Sequence, residues 1–268
     1  MPTFTHNHTT YHYHIAGHGP PLILLHGFTG SLESWAPLLP ALTRTHRVLT
    51  VDLPGHGRTR APDSPAFHTM TATARGLAAL FDHALGEPAH LLGYSMGGRL
   101  ALYFALHYPD RVRSLLLESA SPGLADGEER AARRQRDEAL AARIEAEGVS
   151  AFVDFWERLP LFASQGRLPA DVRACLRAQR LRNRPTGLAN SLRGMGTGAQ
   201  PSLWSRLGQV SAPTLLLVGG EDAKFRAITL QMARLLPRSQ TVVFPGAGHT
   251  VHLERPRAFV GHVLPWLA

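Results

Sequence analysis

Three polar residues far apart in the chain have the types and the order that activate a hydroxyl. Ser95 lies in Gly93-Tyr94-Ser95-Met96-Gly97, Asp222 closes Val218-Gly219-Gly220-Glu221-Asp222, and His249 closes Phe244-Pro245-Gly246-Ala247-Gly248-His249. A serine hydroxyl is a weak nucleophile and a weak base until an imidazole takes its proton and a carboxylate fixes the imidazole tautomer. Ala89 to Leu92 reads as a short buried strand and Gly98 to Leu106 as a helix. A Gly-x-Ser-x-Gly between strand and helix holds its serine on a strained turn, and serine, acid, histidine is the order that accompanies it. The flanking glycines are required because backbone segments approach too closely there for a β-carbon. Glu118 and Glu221 compete for the acid role and His252 for the base role. His26 and His56 precede the serine and read as loop-shaping residues. An oxyanion beside Ser95 needs two backbone N–H donors, assigned to Met96 and to Phe28 of His26-Gly27-Phe28-Thr29-Gly30.

The elements that must position these groups follow from hydropathy. Strands are predicted at 21–27, 47–52, 89–92, 112–118, 213–219 and 241–244, with a helix over 71–85. Strands apolar on both faces and alternating with helices mean a parallel sheet covered on both sides. An N-terminal hairpin places His6 with His8, and His12 with His14, at i, i+2 spacing on what reads as an exposed polar face. Between Ser119 and about Pro201 the alternation stops, and 127–193 reads as helices rich in arginine and alanine. The expected organisation is therefore a core of residues 1–119 and 201–268 with a helical lid, 120–200, above the end of the sheet where such folds bind ligands.

Composition narrows the function classes. The 268 residues are 44% hydrophobic, enough for one large α/β domain. No apolar run of about 18 residues is present, so no membrane span is expected. The start of the chain shows no pattern of a signal peptide. The single cysteine, Cys175, excludes an intramolecular disulfide, reads as a small buried hydrophobe, and fits a cytoplasmic setting. The net charge is +8, and Lys224 is the only lysine. With no basic tail, this charge points to arginines gathered around an anionic substrate rather than to nucleic acid. A monomer or weak homo-oligomer is expected, with no metal.

These residues together resemble the α/β-hydrolase superfamily over essentially the whole chain, which implies a mostly parallel eight-stranded sheet. The stretches Gly93 to Arg99, Glu118-Ser119-Ala120-Ser121-Pro122-Gly123-Leu124, Glu128-Glu129-Arg130-Ala131-Ala132-Arg133, Leu161-Phe162-Ala163-Ser164 and Asp222-Ala223-Lys224-Phe225 look like the 2-succinyl-6-hydroxy-2,4-cyclohexadiene-1-carboxylate synthases of menaquinone biosynthesis. That resemblance implies a lyase that uses the triad to eliminate pyruvate from a polyanionic ring, without cofactor. It also implies substrate contacts from Tyr94, Arg99, Arg133, Trp156, Arg182 and Lys224, with Arg180 or Arg184 as alternatives to Arg182. Arg99 has its own argument: four residues after Ser95 on one helix, it shares the serine's face and leans back toward it. Arg133 continues a stripe through Leu140 and Ile144 that should face inward. A serine hydrolase of esters or C–C bonds is the competing reading, which a neutral substrate would favour.

Overall fold

The computed structural model describes residues 2–268. Among these residues eight strands form one sheet: β1 (Thr3–His6), β2 (Thr9–Ala16), β3 (Pro21–Leu25), β4 (Arg47–Val51), β5 (Ala89–Tyr94), β6 (Val112–Glu118), β7 (Thr214–Gly219) and β8 (Ser239–Phe244). Their spatial order is β1-β2-β4-β3-β5-β6-β7-β8. β1 and β2 pair antiparallel, as do β2 and β4, and every pairing from β4 through β8 is parallel. Among the described residues nine α-helices accompany them: α1 (Leu39–Leu42), α2 (Met70–Ala84), α3 (Met96–His107), α4 (Gly127–Trp156), α5 (Ala170–Leu181), α6 (Pro185–Met195), α7 (Ala223–Leu235), α8 (Val251–Glu254) and α9 (Pro256–Leu267).

The central strands β3, β5 and β7 are buried along their whole length, so both faces of the sheet are covered there. All five residues of β3 are buried, and their alternation divides them between two cores. Ile23 and Leu25 pack with Leu77, Leu80 and Phe104 of α2 and α3. Leu22 and Leu24 pack on the other side with Leu42, Phe259 and Val263 of α1 and α9. A third cluster belongs to the segment between β6 and β7, where Ala141, Ile144, Phe152 and Val153 of α4 meet Leu188, Ala189 and Leu192 of α6. Arg193 ties the same two helices, reaching Glu138 (2.8 Å) and Glu145 (2.7 Å).

Four expectations are corrected. Cys175 is exposed, because only the last turn of α5, at Gln179 and Arg180, is buried and the turn carrying the cysteine is not. His8 falls in the turn of the hairpin with φ of +64°, so it shares no strand face with His6. His12 is buried rather than exposed, its Nδ1 2.9 Å from Asp52. The interior stripe of α4 keeps Ile144 as expected but takes Ala141 in place of Leu140, which is only partly covered, and also buries Asp137.

Candidate active site

Ser95 stands on the turn from β5 into α3 with φ of +50° and ψ of −108°, a conformation a serine holds only when its surroundings impose it. The imposition comes from close packing. A β-carbon on Gly93 would lie 2.3 Å from the Gly97 carbonyl oxygen, and one on Gly97 would lie 2.1 Å from that of Leu25. The Ser95 N–H donates to the Glu118 carbonyl (2.8 Å), anchoring the turn to β6.

The loops after β7 and β8 bring the other two groups to it. His249 Nε2 is 3.0 Å from Ser95 Oγ, and His249 Nδ1 is 2.6 Å from Asp222 Oδ2. With Nδ1–H donating to the carboxylate, Nε2 is left to accept the serine proton. Asp222 is held as the N-terminal cap of α7, its Oδ1 accepting from the Phe225 N–H at 3.4 Å. Its competitors are committed elsewhere: Glu221 pairs with Arg167 at the surface (2.7 Å), and Glu118 pairs with His252 (2.8 Å). His26 shapes a loop as expected, its Nδ1–H donating to the Gly27 carbonyl (2.8 Å) and its Nε2 accepting from the Leu53 N–H (3.0 Å). Burial holds the His26 imidazole below its usual pKa and the His56 imidazole well below it.

A cavity of about 330 Å³ opens over Ser95 and His249. Phe28 and Met96 line it, and neither backbone N–H has an acceptor among the described residues. Its aromatic wall is Phe28, Trp156 and Phe162, with Trp156 5.4 Å from Phe28 and 5.3 Å from Phe162 between ring centres. Its charged lining is Arg99, Arg133 and Lys224, with no aspartate or glutamate among the described residues. Arg99, four residues after Ser95 on α3, lines the same cavity as the serine. Its Nη1 donates to the Met195 carbonyl and to Gln200 Oε1, both at 2.8 Å. Burial, and then the proximity of Arg133, brings its pKa down to about 10, against a smaller opposing pull from Asp137. Arg133 spends its Nε on Asp137 (2.7 Å). Tyr94 also lines the cavity, its hydroxyl 2.9 Å from Thr250 Oγ1, and burial pushes its pKa upward.

Arg182 is not in this cavity. As the residue after α5 it turns outward, half-exposed, and pairs with Glu33 at the surface. Arg180 is the inward arginine of that segment. It is 5% exposed, bonds to Glu157 and Gln165 (both 2.9 Å), and lines a small recess beside Phe28 and Tyr94. Two residues apart on a helix point to nearly opposite sides, so one of the pair must leave the site. Arg184 precedes α6 and is only partly buried.

Asn183 was not legible as a site residue. Its Nδ2 donates to the Thr29 carbonyl (2.8 Å) and its Oδ1 accepts from the Gly57 N–H (3.0 Å), clipping the α5–α6 junction to the loop that carries Phe28. The only signal was Pro185, which ends one helix phase and puts Asn183 in a turn.

The family profile described as the alpha/beta hydrolase fold matches residues 20–256. By sequence, a Bacillus subtilis (strain 168) protein provisionally named 2-succinyl-6-hydroxy-2,4-cyclohexadiene-1-carboxylate synthase is 47% identical, covering 92% of this chain and 91% of its own. The synthase of that name from Pectobacterium atrosepticum is 34% identical, covering 93% and 94%. Among solved structures, MenH from S. aureus superposes with a TM-score of 0.91 at 36% identity, covering 96% of this chain and 97% of its own. The chain belongs to the α/β-hydrolase family and, within it, to the 2-succinyl-6-hydroxy-2,4-cyclohexadiene-1-carboxylate synthases.

Proposed function

We propose that this chain is a carbon–oxygen lyase that eliminates pyruvate from 2-succinyl-5-enolpyruvyl-6-hydroxy-3-cyclohexene-1-carboxylate, leaving 2-succinyl-6-hydroxy-2,4-cyclohexadiene-1-carboxylate. The observation that carries the reading is the charge of the cavity. Three cations and no carboxylate surround a serine whose hydroxyl already faces an imidazole. A neutral ester gives such a lining nothing to bind, whereas a polyanionic ring neutralises it.

In this reading Ser95 works as a general base. His249 takes its hydroxyl proton, and Ser95 Oγ takes the ring proton α to the succinyl ketone. The electron pair moves across the ring double bond and expels the enolpyruvyl oxygen as an enolate, which becomes pyruvate on taking at carbon the proton that His249 holds, while the ring proton restores the Ser95 hydroxyl. The ketone oxygen carries negative charge on the way, and the N–H groups of Phe28 and Met96 are the donors available to it. Asp222 holds the imidazole tautomer and stabilises the imidazolium. Arg99, Arg133 and Lys224 hold the substrate carboxylates, and Tyr94 and Trp156 bound the ring. Arg180, not Arg182, is the further arginine we assign to the site. The segment 120–200 acts as the lid, fastened by Asn183 to the Phe28 loop.

The test supplies purified protein with the enolpyruvyl precursor and couples pyruvate release to lactate dehydrogenase. The expected result is saturable acceleration well above the spontaneous elimination, lost in Ser95→Ala. Absence of acceleration together with rapid cleavage of p-nitrophenyl acetate would overturn the reading in favour of an esterase.

A further inference from the structure

We propose that Glu118 and His252 are positioning residues that brace the serine turn against the loop carrying His249. Glu118 is the last residue of β6 and is wholly buried. Its backbone carbonyl receives the Ser95 N–H at 2.8 Å. Its carboxylate receives two donors from His252: the backbone N–H at Oε1 (3.1 Å), and the ring Nδ1–H, 2.9 Å from Oε1 and 2.8 Å from Oε2. His252 lies three residues beyond His249, is 1% exposed, and has its ring centre 4.6 Å from that of Trp35 and 4.9 Å from that of Tyr94. One residue thus holds the nucleophile turn by its main chain and the histidine loop by its side chain.

The chemistry of the pair argues that this link is directional and not mere filling. A carboxylate removed from water is costly unless its oxygens are fully bonded, and an apolar pair of similar volume fills space as well or better. The adjacent β6 residues Leu115, Leu116 and Leu117 show that apolar side chains pack readily along this strand. What leucine cannot supply at 118 is a fixed angle and distance between two loops. The Ser95–His249 contact of 3.0 Å depends on both loops. A misplacement of about 1 Å between reacting groups can cost on the order of 100-fold in rate.

The proposal is independent of which substrate the cavity takes, so its test includes a reaction needing only the serine and its histidine. A fluorophosphonate probe phosphonylates Ser95 Oγ and releases fluoride, with His249 taking the hydroxyl proton. Glu118→Ala should slow this labelling 10- to 100-fold, lower kcat for pyruvate release in parallel, and leave KM within twofold. Glu118→Gln keeps an oxygen for both His252 donors and should label within about threefold of the parent. His252→Leu should behave as Glu118→Ala, and His252→Asn, which keeps a donor at the Nδ1 position, should recover most of the rate. All are compared at 25 °C with melting midpoints recorded. Should Glu118→Ala fail to fold, the two His252 variants decide the matter. Parent-like labelling in folded Glu118→Ala, a Gln variant as slow as the Ala variant, or equal rates in the two His252 variants would overturn the proposal. A parent that labels rapidly but releases no pyruvate overturns the lyase reading and leaves the brace standing.

Discussion

At the scale of single residues, the cavity is lined by three cations, of which Arg133 has a carboxylate partner, Asp137, and Arg99 bonds to neutral oxygens. Arg99 is buried against carbonyl and amide oxygens and not against a carboxylate, and the charge that acts on it most strongly is that of Arg133. Burying a cation this way lowers stability unless an anion arrives, so the cost is borne for binding. Arg99→Met should therefore lower kcat/KM for the enolpyruvyl substrate by about 10- to 150-fold, the range of one charge-assisted contact, when measured by the coupled pyruvate assay. Because the pKa of Arg99 lies near 10, the parent's advantage over the variant should also fade as pH rises through that value. Ser95, Asp222 and His249 were readable because each follows a strand and sits in a glycine-marked turn. Arg182 came from the resemblance alone, with Arg180 and Arg184 as alternatives, and helical phase separates the first two. α5 closes at Leu181, and Arg182 leaves the face that Arg180 keeps.

At the scale of elements, the sheet was legible almost strand by strand, since fully buried parallel strands are continuous apolar runs. Less legible was the inside of the helical segment, where arginine and alanine leave the apolar stripe faint. That is why the stripe of α4 was placed on Leu140 and falls instead on Ala141, with Asp137 inside it. The docking of α5 and α6 was beyond sequence reading, because it runs through Asn183 and through Gln179, which lies within hydrogen-bond distance of Ser31 and Ser34 (2.6 and 2.9 Å). α4 also contains a break. Gly148 has φ of +80° and ψ of +171°, and nothing lies within 4 Å of where its β-carbon would be. The glycine is needed for its backbone angle alone, a region almost closed to other residues. Gly148→Ala should destabilise the protein by about 1–3 kcal/mol, read as a lowered thermal or urea midpoint. It should also raise KM more than it lowers kcat, because Arg133 and Trp156 lie on opposite sides of the break.

At the scale of the whole molecule, acid is the expected weak point. His26, His46, His56, His68 and His90 all have imidazole pKa values lowered by burial, His90 to about 4. Each takes a proton more readily unfolded than folded. Their contribution is complete above the ordinary value of 6.5 and is lost as pH falls through that value toward the folded pKa. Urea midpoints should therefore drop steeply between pH 6.5 and 4, and replacing His90 by Gln should flatten that slope; an unchanged slope would contradict this account. The cations over the serine have a consequence of another kind. Their potential extends into solvent over a screening length of about 8 Å at physiological salt, so it acts before anything touches the wall. An anion near the mouth is drawn inward, while a neutral molecule arrives only as often as diffusion brings it. Discrimination between substrates thus begins in the frequency of encounters, ahead of any question of fit.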